Sequence, residues 1–199
     1  MPTDSPTARG SYAKGIARRQ EILDRAIEVF ARRGSERTSL RAIAREVGVT
    51  HAALTHYFGS LEELLVAVYR ESERQFDEVE AAEPIETPIE GMRVSAQQNR
   101  EIPGMVQLYT SLVAGALEND RPAATEFITA RFDRLRSSIA EQVRDNQRAG
   151  LIRDDVDAEQ VAALVIAASD GLQTQWLLDD AVDLEASLGV LAHILRPAR

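Results

Sequence analysis

The sequence predicts an all-α protein of about nine helices. Three observations lead there. Apolar residues recur at three- and four-residue spacings along most of the chain. Val/Ile runs alternating with period two are absent, so no sheet is expected. Proline and glycine fall between the periodic stretches, where proline can open a helix and glycine can close one.

Residues 1–12 read as a loose, polar arm, and the helical pattern begins at Lys14. Ile16, Ile22, Leu23, Ala26, Ile27 and Phe30 share one face, and Gly34 marks the stop. A short helix over about 39–47 ends at Gly48, and another over about 50–57 ends at Gly59. Ser60-Leu61-Glu62-Glu63 has the form of a capping box, in which the serine side chain serves the Glu63 amide and the glutamate reaches back. The helix it opens ends before Pro84. Pro88, Pro103 and Pro122 then punctuate helices at about 86–101, 103–119 and 122–149. Two more follow, over 157–179 and about 183–195. The expected organisation is a three-helix module over 1–59 and a larger helical body over 60–199.

Composition narrows the function classes. The 199 residues are 44 % hydrophobic, so a packed core is affordable, and there is no cysteine, which excludes disulfides and thiolate chemistry. No apolar run of membrane-spanning length and no secretory leader is read in the sequence, and a cytoplasmic location is expected. Charge is unevenly spread. The net of −9 divides into +4 over residues 1–60 and −13 over the remainder. A basic head can approach phosphates from which an acidic body is repelled.

That head carries a helix-turn-helix pattern at 40–58. Two short helices crossing steeply need a small residue at the crossing, supplied by Ala44, and a turn tolerant of positive φ, supplied by Gly48. Ile43, Val47, Val49 and Leu54 are spaced to form the shared apolar contact. The second helix then turns Thr50, His51, Ala52, Thr55 and His56 outward, short or hydrogen-bonding side chains suited to base edges and phosphates. His51 and His56 are five apart rather than the four of a helical metal pair. No metal site, cofactor or catalytic residue is expected, and no enzyme.

The run from Thr38 to Val49, followed by Leu54-Thr55-His56-Tyr57-Phe58 and Glu62-Glu63-Leu64-Leu65, resembles the TetR family of bacterial transcriptional regulators. The detailed resemblance covers about residues 14–68, and the segment from Asp170 to Leu178 is similar to the family's penultimate helix. It implies a DNA-binding repressor, a ligand-binding body and a homodimer built from the last two helices. Residues 39–57 then supply the DNA contacts: Ser39, Arg41, Thr50, His51, Ala52, Ala53, Thr55, His56 and Tyr57. The family usually has tyrosine at Thr55 and lysine at Leu61, both serving phosphates, and Tyr57 with His56 is expected to take over part of that role. Candidate pocket residues are Met92, Gln97, Met105, Tyr109, Phe127 and Trp176. Candidate dimer-seam residues are Leu172, Trp176, Leu184, Leu188, Leu191 and His193. The expected partners are a near-palindromic operator in double-stranded DNA, a small-molecule effector and a second copy of the chain, with no membrane. The alternative is a regulator of the same fold governed by a protein partner, with a closed body and no pocket.

Overall fold

The computed structural model describes residues 6–33, 40–80 and 86–197. These form nine helices and, among the described residues, no strand: α1 (Pro6–Arg33), α2 (Leu40–Val47), α3 (His51–Phe58), α4 (Leu61–Glu80), α5 (Pro88–Asn99), α6 (Pro103–Gly115), α7 (Pro122–Arg148), α8 (Ala158–Leu178) and α9 (Leu184–Ile194). α1 starts at Pro6, so residues 6–12, read as part of the arm, are helical. Gly34 and Ser39 lie outside the described residues.

Local chemistry explains most of the helix ends. Thr50, Thr87, Asp157 and Asp183 each accept a hydrogen bond from the amide three residues on, which satisfies a donor that the helix start leaves free. Pro88, Pro103 and Pro122 occupy first-turn positions, where no backbone donor is lost. The capping box at α4 is half formed. Ser60 Oγ accepts from the Glu63 amide at 3.1 Å, but the Ser60 amide donates to the Phe58 carbonyl at 2.8 Å instead of to Glu63. The Glu63 carboxylate lies over Gly59, where a Cβ would come within 2.7 Å of it. Gly59 also has φ +72°, so two constraints select glycine there.

Packing divides differently from the expected boundary at 59/60. One core joins the head to the near end of the body: Ile22, Phe30, Ile43, Val47, Leu54 and Phe58 pack with Leu64 and Val68 of α4, Leu108 of α6 and Phe127 of α7. A second core joins α5, α7, α8 and α9 through Ile89, Val143, Val165, Leu184 and Leu188. The head therefore shares its core with α4. By length and composition alone α8 is apolar enough to cross a membrane, against the expectation that no stretch of the sequence is. Its inner face is packed in the second core, on α7 and α9.

Candidate nucleic-acid interface and body cavity

In the helix-turn-helix, Gly48 has φ +75°, and the Val49 amide bonds back to the Ala44 carbonyl at 2.8 Å, closing α2. Arg25 of α1 reinforces the closure by donating to the Val47 carbonyl at 3.0 Å while pairing with Glu21. Arg19 of α1 lies 4.9 Å from the centre of the Phe58 ring, at the end of α3. Neither arginine could be assigned from a local motif, because each acts on a residue more than twenty positions away.

The expected DNA-facing side chains divide by exposure. Arg41, Thr50, His51, Ala52, Thr55 and His56 are exposed, whereas Ala53 and Tyr57 are half-buried. Thr50 Oγ1 already accepts from the Ala53 amide at 3.1 Å, and Thr55 Oγ1 donates to the His51 carbonyl at 3.1 Å. The Tyr57 ring packs against the first core with its edge to His56, centroids 5.2 Å apart. α2 and α3 thus present a polar face with Arg41 at one side.

The body holds a partly open cavity of about 600 Å³ bounded by α4, α5, α6, α7 and α8. Three of the candidate pocket residues, Met92, Met105 and Tyr109, line it. Three other candidates do not. Gln97 is exposed, because the lining face of α5 runs through Met92, Ser95 and Asn99 and Gln97 points away. Phe127 is buried in the first core, with its ring under Arg70. Trp176 packs against the second core.

The cavity wall holds a polar network that sequence reasoning missed. Arg131 of α7 donates to Glu73 of α4 at 2.7 Å and stands 4.7 Å from the centre of the Tyr109 ring. Tyr109 stacks on Tyr69, centroids 5.1 Å apart, and its hydroxyl donates to Asp170 of α8 at 2.9 Å. Burial pushes the Asp170 carboxyl above its ordinary range, against the opposing pull of the Tyr109 hydroxyl and Arg131. Burial likewise pushes the Tyr69 phenol up to about 12, so both rings stay neutral across the physiological range. Glu73, Glu86, Asp145 and Asp170 outnumber Arg131, the one cation among the lining residues. The cavity is polar, aromatic on one wall and acidic in balance.

α4 is the element these features share. Glu73 faces α7 and the cavity. Two residues earlier, Glu71 faces α1, accepting from Gln20 at 2.7 Å, Gln75 at 3.1 Å and Arg74 at 2.7 Å. These contacts, Arg74 first, hold the Glu71 carboxyl down at about 2. At the near end of α4, Glu62 accepts from the Ala124 amide at 2.8 Å and so caps α7, which lacks a cap of its own.

Leu184 and Leu188, expected at a dimer seam, are 1 % exposed within the single chain and belong to its core. Leu172, Trp176 and Leu191 are half-buried and His193 is exposed. The open apolar surface of the last two helices lies instead at Leu164, Leu178, Val190 and Ile194. No cluster of metal-ligating side chains occurs among the described residues.

Comparison with known proteins gives a consistent result. The model of the bacterial regulatory proteins of the tetR family matches residues 22–68, and that of the BetI-type transcriptional repressor C-terminal region matches residues 97–197. The HTH-type transcriptional regulator BetI of Rhizobium meliloti is 32 % identical over 180 residues, covering 87 % of this chain and 85 % of its own. A putative TetR-family transcriptional regulator from Rhodococcus sp. superposes with a TM-score of 0.71 at 20 % identity, covering 90 % of this chain and 98 % of its own. The multidrug binding protein EbrR, solved as a complex with imidazole, gives a TM-score of 0.60 at 27 % identity, covering 90 % of each chain.

Proposed function

The chain belongs to the TetR family of bacterial regulatory proteins, and on that premise we propose that it is a homodimeric repressor released from a near-palindromic operator by a small molecule bound in the body cavity. DNA binding by the helix-turn-helix and action on transcription come with the family. The dimer, the effector and the operator symmetry are the further reading.

The observation that carries it is the position of α4. Tyr69, Ser72 and Glu73 form part of the cavity wall, and the same helix begins one turn after the recognition helix α3 ends. An effector that engages Glu73 or Arg131 alters the tie between α4 and α7. Through Glu71 and Gln20, α4 carries α1 with it, and the shared core carries α2 and α3. In a dimer, two recognition helices enter successive major grooves roughly 34–36 Å apart. A small change in tilt at each α4 misplaces them, so effector and DNA oppose each other with reciprocal coupling. A cavity of this size favours a small-molecule effector over the closed body that control by a protein partner would require. Imidazole bound to a 27 %-identical relative is further support.

The apolar surface of α8 and α9 supports the dimer. Leu164, Leu178, Val190 and Ile194 are each more than half exposed, and Gly171 and Gly189 leave open space for a close approach. The test is selection of bound sequences from a random DNA pool, then competition of small molecules against the selected duplex. Enrichment of an inverted repeat, with at least one cavity-binding compound that releases it, is the expected result. An enriched site without dyad symmetry, or release by no compound that binds the body, would overturn the reading.

A further inference from the structure

A second hollow, of about 320 Å³, lies between α4 and α7 and is lined by Arg70, Glu73, Arg74, Phe127, Ala130 and Arg134. Its charge is opposite to that of the body around it, where acidic residues outnumber basic ones two to one from residue 61 onward. Arg70 makes no ion pair among the described residues, and its guanidinium rests 5.3 Å from the centre of the buried Phe127 ring. That ring fixes the direction of an otherwise flexible side chain. Arg134 is 60 % exposed and reaches Glu73 only at 3.7 Å, whereas Arg131 holds the same carboxylate at 2.7 Å. The charge of Glu73 is therefore neutralised mainly from the cavity side. Arg74 forms the remaining wall and directs two donors to Glu71. The hollow is left with the charges of Arg70 and Arg134, on facing helices, above an apolar floor.

We propose that this hollow is a second binding site, for the phosphate group of a small anion. Two planar guanidinium groups carried by separate helices, α4 and α7, border one hollow, and each can give paired donors to a tetrahedral oxyanion. The hollow and the main cavity share Glu73, and the other residues lining the hollow are not among those lining the cavity. A phosphate here takes Arg134 from Glu73 and leaves that carboxylate to Arg131, which stiffens the wall of the main cavity. The hollow is thereby placed to tune the response of α4.

The test uses the full-length protein without DNA. Binding of inorganic phosphate and of a simple phosphate monoester, methyl phosphate, is measured by titration calorimetry at constant ionic strength against chloride. Saturable binding of either is expected. Arg134→Gln, on a mostly exposed side chain, weakens it about tenfold, as loss of one charge-assisted contact should. Arg70→Gln does the same, and if it perturbs folding through Phe127 the Arg134 variant carries the test alone. Tighter binding of the monoester identifies a phosphorylated small molecule as the ligand, and equal binding identifies free phosphate. No saturable binding, or binding unchanged in Arg134→Gln, overturns the proposal. So does binding lost in Arg41→Gln but kept in Arg134→Gln, which places the phosphate on the DNA-binding face.

Discussion

Replacing Glu71 by glutamine tests the tie between α4 and α1 and carries its own signature in pH. The substitution keeps the shape and most of the packing, but it removes the charge that Arg74, Gln20 and Gln75 converge on. A carboxyl held at about 2 instead of its usual 4.5 adds at most about 3 kcal/mol to folding at neutral pH. Arg74 is about half exposed, so screening brings the expected loss to on the order of 1–2 kcal/mol. In a chain of this size that is a fall of roughly 3–6 °C in melting temperature. The folded-state pKa is depressed, so the stabilisation is complete well above the unfolded value of 4.5 and is lost as pH falls from there toward 2. The gap between wild type and Glu71→Gln should be constant between pH 6 and 7 and smaller by about four-tenths at pH 3.5. Urea unfolding at a series of pH values reads this directly. A gap that is constant with pH, or that widens in acid, would refute an ionic origin for the stabilisation at Glu71, the largest part of which comes from Arg74 on the same helix and a lesser part from Gln20 of α1.

Three further outcomes follow from the same geometry. Val190→Glu together with Ile194→Glu places two charges on the open face of α9; the protein should sediment as a monomer and bind the selected duplex at least tenfold more weakly, with its helical content unchanged. Tyr109→Phe removes the hydroxyl that donates to Asp170 at 2.9 Å and leaves a buried carboxylate short of a partner, costing about 1–3 kcal/mol in a denaturant melt at pH 7. That cost should shrink in acid, where the carboxyl is neutral. Thr50→Ala deletes the cap of α3 and should cost about 1 kcal/mol in stability, with a loss of operator affinity beyond that expected from stability alone.

How much of this was legible depended on the range of each interaction. Helix starts were readable because their signals are local: Pro88, Pro103, Pro122, Asp157 and Asp183 act within one turn of themselves. The start of α1 at Pro6 was not, because its first turns carry no apolar stripe. Periodicity identified α9 as a helix but misassigned its faces. Leu184 and Leu188 point into the core while Val190 and Ile194 point out, and with apolar residues on both sides the period alone cannot choose. The cavity network was invisible for a stronger reason. Glu73, Tyr109, Arg131 and Asp170 stand on four different helices, and nothing local distinguishes Arg131 from the surface arginines of α7. Gln97 lies about half a turn from Ser95 and Asn99, which with Met92 do line the cavity.

The phosphate contacts at the edge of the recognition helix give the sharpest remaining prediction. Leu61 stands where the family usually has lysine; its hydrocarbon side chain has no charge or donor to offer a phosphate, and it packs half-buried against the first core. Thr55, in place of tyrosine, spends its hydroxyl hydrogen on the His51 carbonyl. Around the start of α4 the amides of Ser60, Glu63 and Leu64 are engaged by Phe58, by the Ser60 side chain and by the Ser60 carbonyl. The side chains left to meet a phosphate at this corner are His56 and Tyr57, held edge to face against each other. Each supplies a hydrogen-bond donor, worth about 1 kcal/mol. Tyr57→Phe and His56→Ala should therefore each weaken operator binding roughly fivefold at neutral pH, with little change in melting temperature. Because Tyr57→Phe removes only a hydroxyl, the dependence of affinity on salt should keep its slope in that variant, whereas Arg41→Ala should reduce that slope by about one. Unchanged affinity in both Tyr57→Phe and His56→Ala would mean that the amides of Leu61 and Glu62, in the first turn of α4, hold the phosphate alone, and that these two side chains serve only to pack the end of α3.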